Sequence, residues 1–325
     1  MIRDTKAVNE ARAQIARRRS APPGGRESYM TAADGARIRY WRWRVNAAPL
    51  GTVVVLGGRT EFIEKHFETY ADVIDAGYDV VAMDWRGQGL SGRTTAHASK
   101  DHVISFSARV NDLAELVTTR LYGHMARPFF AMGHSMGGHL LARYLHDFPG
   151  RLDGAVLSSP MMEIAMTEPV RKLAVGLTRL THGVGLSSRF GPGQKAYGKD
   201  DEGEEVQRRL TNDKDRFQDQ VAAIHANPAL GLGGVSFGWL RAALISCAEI
   251  TQPHYARAIE TPMLIAMAGQ DVIVENQAAR MFAENAPNAE TVWLEAAAHE
   301  IWKERTPLRA YFLRRTLRFF ESVRS

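Results

Sequence analysis

The chain has 325 residues, with 41 Lys and Arg against 36 Asp and Glu, for a formal net charge of +5. At 45% hydrophobic and 24% charged, it has the composition of a globular protein with a large core, which excludes a disordered chain, a collagen and a coiled-coil array. Its single cysteine, Cys247, excludes an intrachain disulfide and any multi-cysteine zinc or iron–sulfur site.

The positive charge is concentrated at the two ends. Residues 1–20 carry six basic and two acidic side chains, and residues 303–325 carry seven basic and two acidic, so the body between them is mildly acidic. No nucleic-acid motif accompanies this charge, and no nucleic-acid partner is expected. The basic ends instead suit weak peripheral contact with an anionic membrane. No stretch reaches the roughly 18 apolar residues of a membrane span. Charges interrupt the N-terminus throughout, so no signal-peptide core is present there, and a cytoplasmic location is expected.

In chain order, residues 1–25 read as a basic arm ending in the breaker cluster Ala21-Pro22-Pro23-Gly24-Gly25. Alternating patterns over Glu27–Ala32 and Ile38–Val45, joined by Asp34-Gly35, predict a β-hairpin. Short continuous apolar runs follow at Thr52–Leu56, Tyr78–Met83, Phe129–Met132, Gly154–Leu157, Met263–Met267 and Thr291–Leu294. Runs of that kind are buried parallel strands with helices on both faces. The interval between Leu157 and Met263 is too long for a loop, and residues 162–234 are expected to form an inserted helical cap. Within it, Thr167-Glu168-Pro169 opens a helix whose Val170, Leu173, Ala174, Leu177 and Leu180 share one face. That face either packs on the domain below or lines an acyl channel. Residues 201–226 read as one strongly charged helix, and another helix surrounds Trp239–Ile250. The core is then 26–161 together with 235–325.

The chemistry centres on Gly133-His134-Ser135-Met136-Gly137, which follows an apolar strand and precedes a helical run. A G-x-S-x-G in that context exposes a serine hydroxyl at a sharp strand-to-helix turn, and small residues two positions either side leave it room. A hydroxyl needs a base and an orienting carboxylate, found after the serine in the order acid, then histidine. Of the histidines beyond the cap, His299 follows the last strand through small residues, whereas His254 suits a helix end. Asp271 directly follows the strand Met263–Met267; Glu163 is its rival, and Asp84 suits turn stabilisation. The oxyanion needs two N–H donors, expected from Met136 after the nucleophile and from Arg59 in the turn Gly57–Glu61. The Arg59 side chain has three open uses: a phosphate, a salt bridge with Glu61, or solvent.

Together, Gly58-Arg59-Thr60-Glu61, Asp84-Trp85-Arg86-Gly87-Gln88-Gly89-Leu90-Ser91, Gly133-His134-Ser135-Met136-Gly137-Gly138, Gly269-Gln270-Asp271 and His299-Glu300 resemble the α/β-hydrolase fold, in its lysophospholipase and monoacylglycerol lipase branch. Gly57-Gly58-Arg59 departs from the His-Gly of monoacylglycerol lipases and is more similar to bacterial lysophospholipases. So are Asp101-His102-Val103, Ser159-Pro160-Met161 and Leu210-Thr211-Asn212-Asp213. The resemblance implies a serine hydrolase of lipid esters, with a lysophospholipid as the main substrate reading. A monoacylglycerol lipase or general carboxylesterase and a non-catalytic receptor are the alternatives. Neither a metal nor an organic cofactor is expected.

Overall fold

The computed structural model describes residues 3–45 and 48–324. After helix α1 (Arg3–Arg19), strands β1 (Arg26–Thr31) and β2 (Arg37–Trp43) form the expected hairpin. Then come β3 (Thr52–Leu56), α2 (Phe67–Asp75), β4 (Asp79–Met83), α3 (Ser107–Leu116), β5 (Phe129–His134), α4 (Met136–Asp147) and β6 (Gly154–Ser158). An interval of helices follows: α5 (Glu168–Gly183), α6 (Glu204–Leu210), α7 (Lys214–Ala226), α8 (Phe237–Ile250) and α9 (Pro253–Arg257). The chain closes with β7 (Met263–Ala268), α10 (Asn276–Asn285), β8 (Ala289–Leu294) and α11 (Thr306–Arg324).

The eight strands form one sheet in the order β1-β2-β4-β3-β5-β6-β7-β8. Strand β2 is antiparallel to both neighbours, and every pair from β4 to β8 is parallel. Alternation along the strands divides their side chains between two cores. Val54, Leu56, Val81, Met83 and Ala131 pack with α3, α4, α8 and α10 on one face. Val53, Val55, Val80, Ala82, Phe130 and Met132 pack with α2 and α11 on the other. This double burial explains why the central strands read as unbroken apolar runs.

Two sequence expectations change in the structure. Residues 201–226 are two helices, because Thr211-Asn212-Asp213 breaks them: the Asp213 side chain accepts the Arg216 N–H at 3.0 Å and so starts α7 afresh. His254 sits exposed in the last turn of the five-residue helix α9, at a helix end as expected. The apolar stripe of α5 faces outward, with Val170 53%, Leu173 70% and Leu180 64% exposed. The buried positions of α5 are Thr178 and Thr181, whose hydroxyls donate to carbonyls of their own helix, so the threonine face can pack without orphaned polar groups.

The arm is docked rather than loose. Arg17 pairs with Asp72 and Asp75 at 2.7 Å each, while Arg18 and Arg19 both reach Asp219 of α7 at 2.6 Å. Three of the N-terminal positive charges therefore meet carboxylates of the acidic body. No helix among the described residues is long and apolar enough to cross a membrane.

Candidate active site

The carboxyl ends of the parallel strands converge on one corner. Ser135 leaves β5 with φ 51° and ψ −118°, a left-handed backbone for a residue with a Cβ, and α4 starts at the next residue. Close packing holds that turn. A Cβ on Gly133 would lie 2.7 Å from the Gly137 carbonyl, and one on Gly137 would lie 2.6 Å from the Leu56 carbonyl. Ser135 N–H donates to Ser158 O on the neighbouring strand at 2.9 Å. Among the described residues the Ser135 hydroxyl has no hydrogen-bond partner, and it faces a cavity of about 400 Å³ that His299 also lines.

Beyond β7, Asp271 projects from the turn Gly269–Asp271. Its Oδ1 accepts the N–H groups of Ile273 at 2.9 Å and Val274 at 3.1 Å, and its Oδ2 lies 2.6 Å from His299 Nδ1. Burial alone would raise this carboxyl, but the charge and hydrogen bond of His299 and those two N–H groups hold it below the ordinary range. The rival Glu163 is elsewhere engaged, with Arg171 at 2.5 Å. Asp84 braces the preceding loop by accepting from Ile63 and Leu90 at 2.9 Å each, and burial pushes it up to about 6.

The turn after β3 commits some of its backbone donors and leaves Arg59 without one of these internal acceptors. Gly58 N–H donates to Glu61 Oε2 and Thr60 N–H to Gln88 Oε1, whereas among the described residues the Arg59 N–H meets no acceptor. Met136 N–H lies in the first turn of α4, where an α-helix supplies no internal acceptor. Arg59 does not pair with Glu61: its Nη1 donates to the Gly233 carbonyl at 3.0 Å instead.

Sequence reasoning missed the layer beneath. Glu61 is fully enclosed by cations and donors, with Lys65 at 2.8 Å and His134 Nδ1 at 3.1 Å. Lys65 also meets Glu300 at 2.5 Å. His134 Nε2 approaches the His299 carbonyl at 3.2 Å. Both of these partners are acceptors, an arrangement that favours the protonated ring. Burial opposes that charge, but the Glu61 carboxylate outweighs it and raises the imidazole above its ordinary value. Lys65 stands four residues after Glu61 and Glu300 one after His299, spacings that hint at the network only once the loops are known to meet.

The break between α6 and α7 bonds to the loop that carries His299. Glu300 N–H donates to Leu210 O at 2.7 Å, and the Thr211 hydroxyl donates to Lys303 O at 2.7 Å. Glu304 Oε1 gathers Asn212 N–H at 3.1 Å, Asn212 Nδ2 at 2.9 Å and Ala298 N–H at 2.9 Å. Leu210-Thr211-Asn212-Asp213 thus fastens the imidazole's own loop from above.

Comparison with known proteins agrees with this architecture. A probable lysophospholipase L2 of Haemophilus influenzae is 30% identical over 276 residues, 84% of each chain. A monoacylglycerol lipase of Mycolicibacterium smegmatis is 27% identical over 281 residues, covering 86% of this chain and 91% of that one. The solved structure of a soluble variant of monoglyceride lipase from Saccharomyces cerevisiae superposes with a TM-score of 0.74 at 20% identity, covering 94% and 96% of the two chains, and so shares the fold. The family model described as serine aminopeptidase, S33, matches residues 47–306. With four-fifths of its length under that model, the chain belongs to the serine aminopeptidase S33 family of α/β hydrolases.

Proposed function

We propose that the protein is a lysophospholipase that hydrolyses the carboxylic ester of a lysophospholipid through an acyl-enzyme on Ser135. In this reading His299 takes the Ser135 proton and Asp271 holds the imidazole tautomer. The N–H groups of Arg59 and Met136 stabilise the oxyanion of the tetrahedral intermediate. Collapse of that intermediate expels the lysophospholipid's alcohol, protonated by His299. Water deprotonated by His299 then releases the fatty acid. The observation that carries the reading is the strained, unpartnered Ser135 in the same cavity as an imidazole 2.6 Å from a buried aspartate.

Residues 162–234 act here as a cap over that cavity, which Lys195, Tyr197, Arg209 and Ile224 help to line. The exposed stripe of α5, with Lys172 and Arg179 exposed beside it, docks on an anionic bilayer in which the substrate resides. The similarity to a lysophospholipase L2 supports the substrate class, and the Mycolicibacterium similarity supports a second reading, a monoacylglycerol lipase.

The test compares kcat/KM for a lysophospholipid, a monoacylglycerol of the same acyl chain and a p-nitrophenyl ester. Ser135→Ala should lose turnover of all three, on the order of 10⁶-fold, together with labelling by a fluorophosphonate. Retained turnover would sink the nucleophile assignment, and preference for the neutral glyceride would select the second reading.

A further inference from the structure

Among the described residues six arginines are buried: Arg39, Arg86, Arg109, Arg143, Arg216 and Arg309. Each lies within 4.0 Å of at least one carboxylate. That pattern is what electrostatics demands, since a desolvated guanidinium without a counter-charge is costly.

Arg59, half-buried in the wall of the Ser135 cavity, has no such partner. Among the described residues no carboxylate comes within 4.0 Å of its guanidinium. One of its five N–H donors goes to the Gly233 carbonyl at 3.0 Å, and its Cζ stands 5.8 Å from the centre of the Trp239 ring. Burial lowers the guanidinium from its ordinary value, with only the more distant Asp101 and Asp201 opposing the shift. The remaining donors stay uncommitted at a cavity that also contains the nucleophile.

The same cavity adds a second cation. Arg209 of α6 lines the same cavity, and among the described residues no carboxylate pairs with it. Of the cavity's carboxylates, Glu61 and Glu300 both hold Lys65, and Asp201 accepts Gly198 N–H at 2.8 Å while standing more than 4.0 Å from either guanidinium. Lys195 pairs with Asp200. Both guanidinium-bearing residues thus line the cavity that holds Ser135, while Val206, Leu210, Ile224, Leu232 and Ile273 supply its apolar lining.

We infer that Arg59 and Arg209 form a subsite for the phosphate of the substrate's head group, so that charge recognition beside Ser135 sets the preference for a lysophospholipid over a neutral glyceride. This inference rests on the proposed ester hydrolysis at Ser135. Planar guanidiniums suit the paired oxygens of a phosphodiester, which one or both could hold through bidentate hydrogen bonds.

The test uses the full-length protein and three substrates with one acyl chain: lysophosphatidylglycerol, lysophosphatidylcholine and monoacylglycerol, each in the same neutral detergent micelle. Arg209→Ala and Arg59→Gln should each raise KM for both lysophospholipids by roughly tenfold or more, the worth of a lost charge-assisted contact. The ratio of kcat/KM for lysophospholipid to that for monoacylglycerol should fall with it. Arg59→Lys should restore only part of the ratio, because a point charge lacks the fork. The exposed Arg209 keeps the test decisive if the Arg59 variants fold poorly.

A second arm works without lipid turnover. Glycerophosphoglycerol should compete against p-nitrophenyl butyrate, and Arg209→Ala should weaken that competition by a similar factor. An unchanged selectivity ratio in both variants overturns the subsite. Inhibition by inorganic phosphate as strong as by the phosphodiester, with no lysophospholipid preference, also overturns it and marks a free-phosphate site. Loss of all hydrolysis on Ser135→Ala stands apart from these outcomes, so failure of the subsite and failure of the hydrolase reading are distinguishable.

Discussion

Helices α5 and α7 lie in the same inserted segment but meet their surroundings in opposite ways. Helix α7 buries Phe217, Val221 and Ile224 and is tied down by charge: Arg216 reaches Glu68 of α2 at 2.8 Å, and Asp219 receives Arg18 and Arg19 of α1. Helix α5 turns a threonine face inward and leaves its leucines in water. The difference teaches that a 3.6-residue apolar period identifies which residues share a face and says nothing of what covers it. In α7, charged residues anchor the helix. In α5, apolar residues are left free for another surface.

The strongest way to break this contrast is to cut the anchor of α7. Arg216→Ala leaves Glu68 facing Arg309 alone at 3.6 Å. Removing one partner of such a buried pair should cost about 3 kcal/mol of stability, measured as a lowered urea midpoint. A near-neutral result would show that α7 is held by its apolar contacts instead.

Acid should act on the same junction with a comparable effect. Burial works against ionised Glu68, but the hydrogen bonds of Arg216 and the charges of Arg309 and Arg216 hold it down to about 2, from an ordinary 4.5. A carboxyl lowered on folding contributes stability above its unfolded value and loses it as pH falls through the folded one. The window is therefore pH 4.5 down to about 2, and the loss is roughly 3 kcal/mol if no other group compensates. Chemical denaturation at pH 5 and pH 2.5 measures it, and Glu68→Gln should flatten the difference.

For α5 the expected signature is reversed. Leu173→Ser with Leu180→Ser should alter folding stability by no more than about 0.5 kcal/mol per site, because both side chains are already in water. Sedimentation with anionic vesicles should nevertheless weaken by about tenfold, the worth of roughly two buried methylenes. Equal vesicle binding would remove the membrane role from this helix. Smallest of all is Glu168→Gln, which breaks an exposed pair with Lys172 at 3.5 Å. It should shift stability by less than about 0.5 kcal/mol, and a larger change would mean that α5 is covered in solution.

The sheet was readable in the sequence because its strands are buried on both faces, and Thr52–Leu56 and Met263–Met267 need no partner to look like strands. The meeting of Asp271 with His299, and the shared cavity of His299 and Ser135, were readable because the Ser135 turn demands glycines and the motif sets the order of the residues that follow. Glu61 and His134 were not, since their pairing depends on two turns more than 70 residues apart meeting at 3.1 Å. The break at Thr211–Asp213 was missed because its residues are as polar as the helices they separate, and only their bonds to the His299 loop show why the chain stops there. The outward stripe of α5 could not be read, because the surface it shows depends on α8 packing against the other side.

The salt links of α1 have a consequence for ionic strength. Arg17 and Arg19 are each 42% exposed and Arg18 only 12%, so added electrolyte screens the first two well before the third. The tether between the amino-terminal helix and α7 should therefore soften in two stages, one at moderate salt and one that Arg18 resists. Since α7 continues from the segment bonded to the His299 loop, dissolved ions become a dial on that loop, turned from more than one helix away.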